Sequence, residues 1–323
     1  MKNRILFKTL IFLLALCMAV SICGCSNADS GSAQASSSAN SDAGFSTDKK
    51  TASISETPAS SFEYEEKDGG IMITKFTGTE TQVSVPSVID GKSVTHIGAK
   101  AFDSCSQLTE IILPDSITLI QMCAFNGCTN LTSFTVPEKV EELSNEMFYN
   151  CTSLKDVTLP EGLKIVGKNA FCGCSSLESI TLPEGLTDIY ESAFCKCTSL
   201  KSITIPDSVT KIGEYVFYLS EGLESVKLPK DLTYIPKGTF EDCMSLSDIT
   251  LSDAVTYIGD YAFGRCTSLK SLTIPESVTE VGMSVFDDWT SSQTINIKGV
   301  SKEPYGWSTK WDNNCEANIV WNA

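Results

Sequence analysis

Histidine is nearly missing from this chain of 323 residues, with His96 the single one. A Ser or Cys nucleophile elsewhere would therefore have no histidine base beside it. No G-x-S-x-G, H-E-x-x-H or P-loop pattern occurs either. These absences argue against an enzyme, and the sequence calls for no catalytic residue, no cofactor and no metal. Basic residues are also short, 24 Lys and Arg against 40 Asp and Glu for a net charge of −16. That balance excludes phosphate neutralisation, so no nucleic-acid partner is expected. An acidic surface favours solubility, basic partners or divalent cations. Long apolar stretches are missing too: residues 10–20 form an unbroken apolar run of 11, well short of the ~20 needed to cross a bilayer. Trp is absent from the first 288 residues.

What is present begins with an address. Lys2, Arg4 and Lys8 precede the apolar run, and Ile22-Cys23-Gly24-Cys25 follows it, the layout of a secretory signal. Those four residues resemble the bacterial lipoprotein processing motif, which implies cleavage after residue 24 and acylation of Cys25. Residues 1–24 are then a lipoprotein signal peptide. Residues 25–61 read as a disordered Ser/Ala-rich tether, since 11 of residues 26–60 are Ser and 7 are Ala, too little apolar surface to offset ordering entropy.

From residue 97 the chain repeats every 23 residues. Phe102, Phe125, Phe148, Phe171, Phe194, Phe217, Phe240, Phe263 and Phe286 mark the register without a slip. A short fixed period signals a solenoid whose coils bury their apolar edges against one another. One coil reads I-G-x-x-A-F-x-x-C-T-S-L-x-x-I-T-I-P-x-x-V-T-x, clearest over residues 189–211 and 258–280. Alternation places Ile203 and Ile205 inward and Ser202 and Thr204 outward on a short strand, which Pro206 ends for want of an N–H. A second apolar cluster of Val209, Ile212, Ala193 and Phe194 closes the opposite wall, with Gly213 permitting a tight corner.

The period, the Ala-Phe pair, the Cys-Thr-Ser-Leu run and the strand-ending Pro together resemble the BspA-type leucine-rich repeat family of bacterial surface proteins. The resemblance implies an α/β-type solenoid, with a parallel sheet of short strands, one per coil. It also implies surface location and adhesion to host, matrix or cell proteins. Residues 62–96 read as an N-terminal cap that opens on a hairpin around Lys67-Asp68-Gly69-Gly70. The repeats occupy residues 97–288, and residues 289–323 form a C-terminal cap holding Trp289, Trp307, Trp311 and Trp321. Core closure is the first reading of those indoles and a Trp-lined ligand patch the second.

Several columns tempt a chemical reading. Cys105, Cys128, Cys151, Cys174, Cys197, Cys243 and Cys266 share one column, completed by Ser220 and Trp289. Their spacing fits no zinc pattern, and buried Cys acts as a small hydrophobe. Cys172 and Cys195 occupy equivalent places in adjacent coils, within reach of a cross-coil disulfide; a four-thiolate site with Cys174 and Cys197 is disfavoured because those two should point inward. Cys123 and Cys315 have no visible partner. Asp115, Glu138, Glu161, Glu184 and Asp207 line up after the strands, too few oxygens for calcium, and read as solvated turn residues. Tyr190, Tyr215, Tyr234, Tyr257 and Tyr261 break the pattern on a fixed frame, where solenoids keep specificity. They are the candidate partner-binding residues, against the plainer reading of scattered tyrosines filling shallow grooves.

The function expected is a lipid-anchored protein on the outer face of a bacterial cell membrane. It would be monomeric and non-catalytic, binding a host or cell-surface protein, with a glycan as the second option. The alternative is a lipoprotein that captures glycans or peptides for a transporter or hydrolase.

Overall fold

The computed structural model describes residues 54–323. The leader, Cys25 and most of the tether lie outside the described residues. The repeating unit is one turn of a coil whose backbone bonds run mainly to the coils before and after it. The nine phenylalanines are all fully buried and form a single file. Neighbouring rings lie between 5.2 Å and 6.1 Å apart, with interplanar angles of 8° to 19°. Offset stacks of this kind add to the large apolar area each ring buries. Phe76 extends the file by one ring at 5.5 Å.

Most coils carry two strands where the sequence suggested one, and the coil around Ile180 only the shorter of them. The longer, such as Ser202–Thr204, lies on one wall and the shorter, such as Lys211–Ile212, on the other. Pairing is parallel and in register at 23 residues, as in Ser202↔Ser225 and Asp188↔Lys211. The third side is built from turns, and the only helical segment among the described residues is a single 3-10 turn at Ala59–Ser61. The reason lies in two left-handed residues per coil. One column runs Lys100, Cys123, Glu146, Asn169, Ser192, Tyr215, Gly238, Tyr261, Ser284, with φ between 51° and 60°. The other runs Ser104, Gly127, Asn150, Gly173, Lys196, Leu219, Asp242, Arg265, Asp288, with φ between 56° and 80°. A left-handed residue every few positions forbids a continuing right-handed helix. Backbone donors instead alternate, Cys172 N–H back to Asn169 O and Phe171 N–H across to Ala193 O of the next coil. Gly213 is not in the left-handed region; a Cβ there would fall 2.7 Å from Glu191 Cα of the coil before, so the corner glycine serves close approach.

The N-terminal cap contains five strands: β1 (Phe62–Lys67), β2 (Gly70–Phe76), β3 (Gln82–Ser84), β4 (Val88–Ile89) and β5 (Lys92–Ile97). The expected β1–β2 hairpin turns at Asp68-Gly69, both at positive φ. A second hairpin, β4–β5, turns in the same way at Asp90-Gly91. β2 then pairs parallel to β5, and β5 to Leu119–Ile120, which carries the cap into the short-strand wall. Residues 54–61, read from sequence as the tether's end, lie against this cap: Thr57 N–H donates to Ser84 O, and Ser84 N–H to Thr57 Oγ1. At the other end Trp289 and Trp311 meet Phe286 edge-on at 4.8 Å and 6.0 Å, and Trp307 meets Trp311 at 5.1 Å. These three indoles are buried and close the ring file.

The long-strand wall is interrupted, and the residue before each strand-ending Pro decides where. After Val85, Val136, Ile205 and Ile274 the strand pairs with its successor over three or four residues. After Leu113, Leu159 and Leu182 no pairing forms, and after Leu228 it shrinks to two residues; pairing is also missing after Leu251, which precedes Ser252 in place of the proline. Pro holds its predecessor in extended backbone, and a β-branched side chain stiffens that geometry and suits a pleated surface. Val136 N–H then reaches Thr158 O at 3.0 Å and Ile205 N–H reaches Lys227 O at 2.9 Å. Leucine, unbranched at Cβ, lacks that constraint.

Candidate functional site

The short-strand wall brings the tyrosines together over neighbouring coils. Tyr234 and Tyr257 are directly paired across adjacent strands. Tyr257 is exposed, at 37%, and burial against its neighbours pushes its phenol pKa up. Lys211, one coil before Tyr234, places Nζ 4.5 Å from the Tyr190 ring centroid, a cation–π arrangement. Lys237 stands 5.8 Å over Tyr215. Gly238 stands between Tyr215 and Tyr261 in their column, and the Tyr215 ring lies where a Cβ on residue 238 would be. Tyr215 and Tyr261 themselves sit in the left-handed corner column, with φ of 58° and 57°.

Tyr234 has a structural task in addition. Gly213 and Gly259 each donate an N–H at 2.8 Å to the isoleucine carbonyl of the preceding coil. The equivalent residue between them is Pro236, which has no N–H. Strand pairing stops there, since Lys211–Ile212 ends one sheet and Tyr234–Ile235 begins another. The Tyr234 hydroxyl donates to Ile212 O and accepts from Ile212 N–H, both at 3.2 Å.

The cysteine column is a donor ladder as well as packing. Cys128, Cys151, Cys174, Cys243 and Cys266 each donate Sγ–H to the carbonyl of the phenylalanine 26 residues earlier, at 3.1–3.2 Å. Cys197 does so at 3.3 Å, Ser220 at 2.8 Å with its hydroxyl, and Trp289 at 2.8 Å with its indole N–H. The three residue types share a column because each brings a donor. Burial pushes the Cys151 thiol up to about 12 and raises the others, so they stay protonated and keep donating.

Cys172 and Cys195 are buried in register, and both are free thiols in this structure. A hydrogen bond from Cys195 favours the Cys172 thiolate, and the same bond, with burial, pushes Cys195 up. Cys123, without a visible partner in sequence, donates to Glu146 Oε2 at 3.4 Å. His96 Nδ1 meets its neighbour Thr95 Oγ1 at 2.8 Å. Among the described residues no group of His, Cys, Asp and Glu is arranged to hold a metal ion.

The model of the BspA type leucine rich repeat region, six copies, matches residues 80–201 and 187–303. The chain belongs to the BspA-type leucine-rich repeat family. Among solved structures it is similar to a T. pallidum leucine-rich repeat protein, with 32% identity over 66% of this chain and 90% of that one, at a TM-score of 0.48. A leucine-rich repeat protein of Bacteroides ovatus shares 26% identity over 81% of this chain and 67% of that one, at a TM-score of 0.55. No curated protein matches the chain.

One feature of this BspA-type chain escaped the sequence. Arg265 gathers carboxylates from the coils on both sides: Glu241 Oε1 at 2.8 Å, Asp242 Oδ2 at 2.7 Å and Asp287 Oδ2 at 3.0 Å. Asn314 of the C-terminal cap then donates to Asp287 and Asp288 at 2.9 Å and 2.7 Å. The signal was present as acids at the places just after Phe240 and Phe286, but it required the coil's geometry to see that one guanidinium spans them. The cluster ties the last repeats to the cap, and its hydrogen bonds hold the guanidinium's proton all the more firmly.

Proposed function

We propose that the chain is a lipid-anchored cell-surface protein whose repeat surface binds a macromolecular partner, in the first place a protein, without chemistry of its own. The observation that carries this reading is the unbroken phenylalanine file. The core is filled from Phe76 to Phe286, so recognition is left to the walls. The wall that combines Tyr190, Tyr234 and Tyr257 with Lys211 offers rigid aromatic area and cations at consecutive coils, the chemistry that anchors protein interfaces. Support for the anchor is the basic start, the apolar run and Cys25. The tether would let the bound partner stand off the membrane.

The test applies the full chain to an array of host matrix proteins and glycans. Binding to proteins, lost in a Tyr190→Ala/Tyr257→Ala variant, is the expected result. Binding to glycans alone would overturn it in favour of ligand capture for a transporter or hydrolase. Fractionation of cells carrying Cys25→Ser checks the anchor, with release from the membrane expected.

A further inference from the structure

We infer that the interruptions in the long-strand wall after Leu159, Leu182 and Leu251 are docking slots for an extended Lys- and Arg-rich segment of a partner polypeptide. The inference rests on the repeat-surface reading above and supplies the partner's chemistry.

Each of these three interruptions coincides with a half-open cavity of the same make. The first, about 290 Å³, is lined by Thr158, Leu159, Glu161, Thr181 and Pro183. One coil on, the same five places line a cavity of about 320 Å³, with Glu184 as the acid. At Leu251 they line one of about 410 Å³, with Asp253 as the acid and Lys298 at its rim. The coils have not parted in the core. Phe148–Phe171, Phe171–Phe194 and Phe240–Phe263, the ring pairs beneath the slots, stand 5.4, 5.3 and 5.4 Å apart, as close as elsewhere in the file. The opening is confined to the wall.

Each slot offers a backbone N–H on the leucine that donates to no acceptor among the described residues, beside a threonine and a carboxylate. An unpaired strand edge is a template for another extended chain. The free N–H takes a peptide carbonyl, while the carboxylate takes a cation. A basic peptide supplies both at once; a glycan supplies hydroxyls but no charge. The net charge of −16 favours the same partner over long range. The first two slots are adjacent and carry no lysine, so they should provide most of the affinity. Lys298 offsets Asp253 at the third.

The experiment uses the full chain and a fluorescent peptide of alternating lysine and threonine, with a glutamate–threonine peptide as control. The basic peptide should bind, more weakly as salt is raised, and the acidic one should not. Leu159→Ile/Leu182→Ile, a volume-conserving change, should restore the ladder. Hydrogen exchange at residues 159 and 182 should then slow, and affinity should fall about tenfold or more, one ordinary hydrogen bond per slot. Glu161→Gln/Glu184→Gln leaves the backbone alone and should weaken binding and flatten its salt dependence. Slowed exchange with unchanged affinity would overturn the proposal. So would failure of the basic peptide to bind the native chain; if the chain still took array proteins through its tyrosine wall, that failure would fall on the slots alone.

Discussion

The Tyr234 hydroxyl bonds the Ile212 carbonyl and amide at 3.2 Å, one coil away, where Pro236 cannot donate. A residue singled out for recognition is therefore also a brace at the one place where a proline interrupts the short-strand wall. Removing only the oxygen separates the two roles. Tyr234→Phe should destabilise the chain by about 1 kcal/mol or somewhat more, the value of a hydrogen bond whose partners are left partly unserved. Tyr257→Phe, at the exposed neighbour, should change stability by less than about 0.5 kcal/mol. Urea denaturation of the two variants side by side checks the contrast.

The thiol ladder makes stability fall in alkali. The six buried donors from Cys128 to Cys266 have folded pKa values raised above their ordinary 9.0, that of Cys151 to about 12. The folded chain keeps protons that the unfolded chain releases. Their contribution is fully present below about pH 9 and is lost as pH climbs toward 12, at about 1.4 kcal/mol per pH unit for each thiol. Urea midpoints at pH 6.5, 8 and 10.5 should be level over the first step and drop over the second. Cys197→Ser keeps a donor, as Ser220 does, and should shallow the drop without a large loss at pH 7. Cys197→Ala leaves the Phe171 carbonyl unserved and should cost about 1–3 kcal/mol at pH 7.

Arg265 is the sole cation among Glu241, Asp242 and Asp287 in its cluster. Arg265→Met should cost about 2–3 kcal/mol, below the full penalty for orphaning buried charges because the guanidinium is about a third exposed. Adding Asp287→Asn should recover part of that loss. A chemical-denaturation series on the single and double variants measures both effects.

The period and the alternation were enough to place the phenylalanine file, the inward Ile203 and Ile205 and the buried thiol column. Each depends on one residue's repeated character, which a linear sequence displays. The donor role of the thiols was equally present, in the substitution of Ser220 and Trp289 for cysteine, but hydrophobic reasoning passes over what those three types share. The interruptions after Leu113, Leu159 and Leu182 lay in a finer distinction, Leu against Val or Ile before proline, that hydropathy does not register; at Leu251 the proline itself is replaced by Ser252. The β4–β5 hairpin was announced by Asp90-Gly91 in a short segment where two-residue strands leave little periodicity. The 23-residue column joins Asp242 to Arg265, but the reach of the same guanidinium to Glu241 and Asp287 is set only by winding.

The two corner columns have a further consequence. Eighteen consecutive corner places hold Lys, Cys, Glu, Asn, Ser, Tyr, Gly, Leu, Asp or Arg, and none holds Val, Ile, Thr or Pro. Those four types pay the steepest penalty at positive φ. As lineages of such rods diverge, the ridges can exchange charge, size and aromaticity freely but are filtered for side-chain shape. Their surface vocabulary is set by torsional geometry before any partner selects among the words.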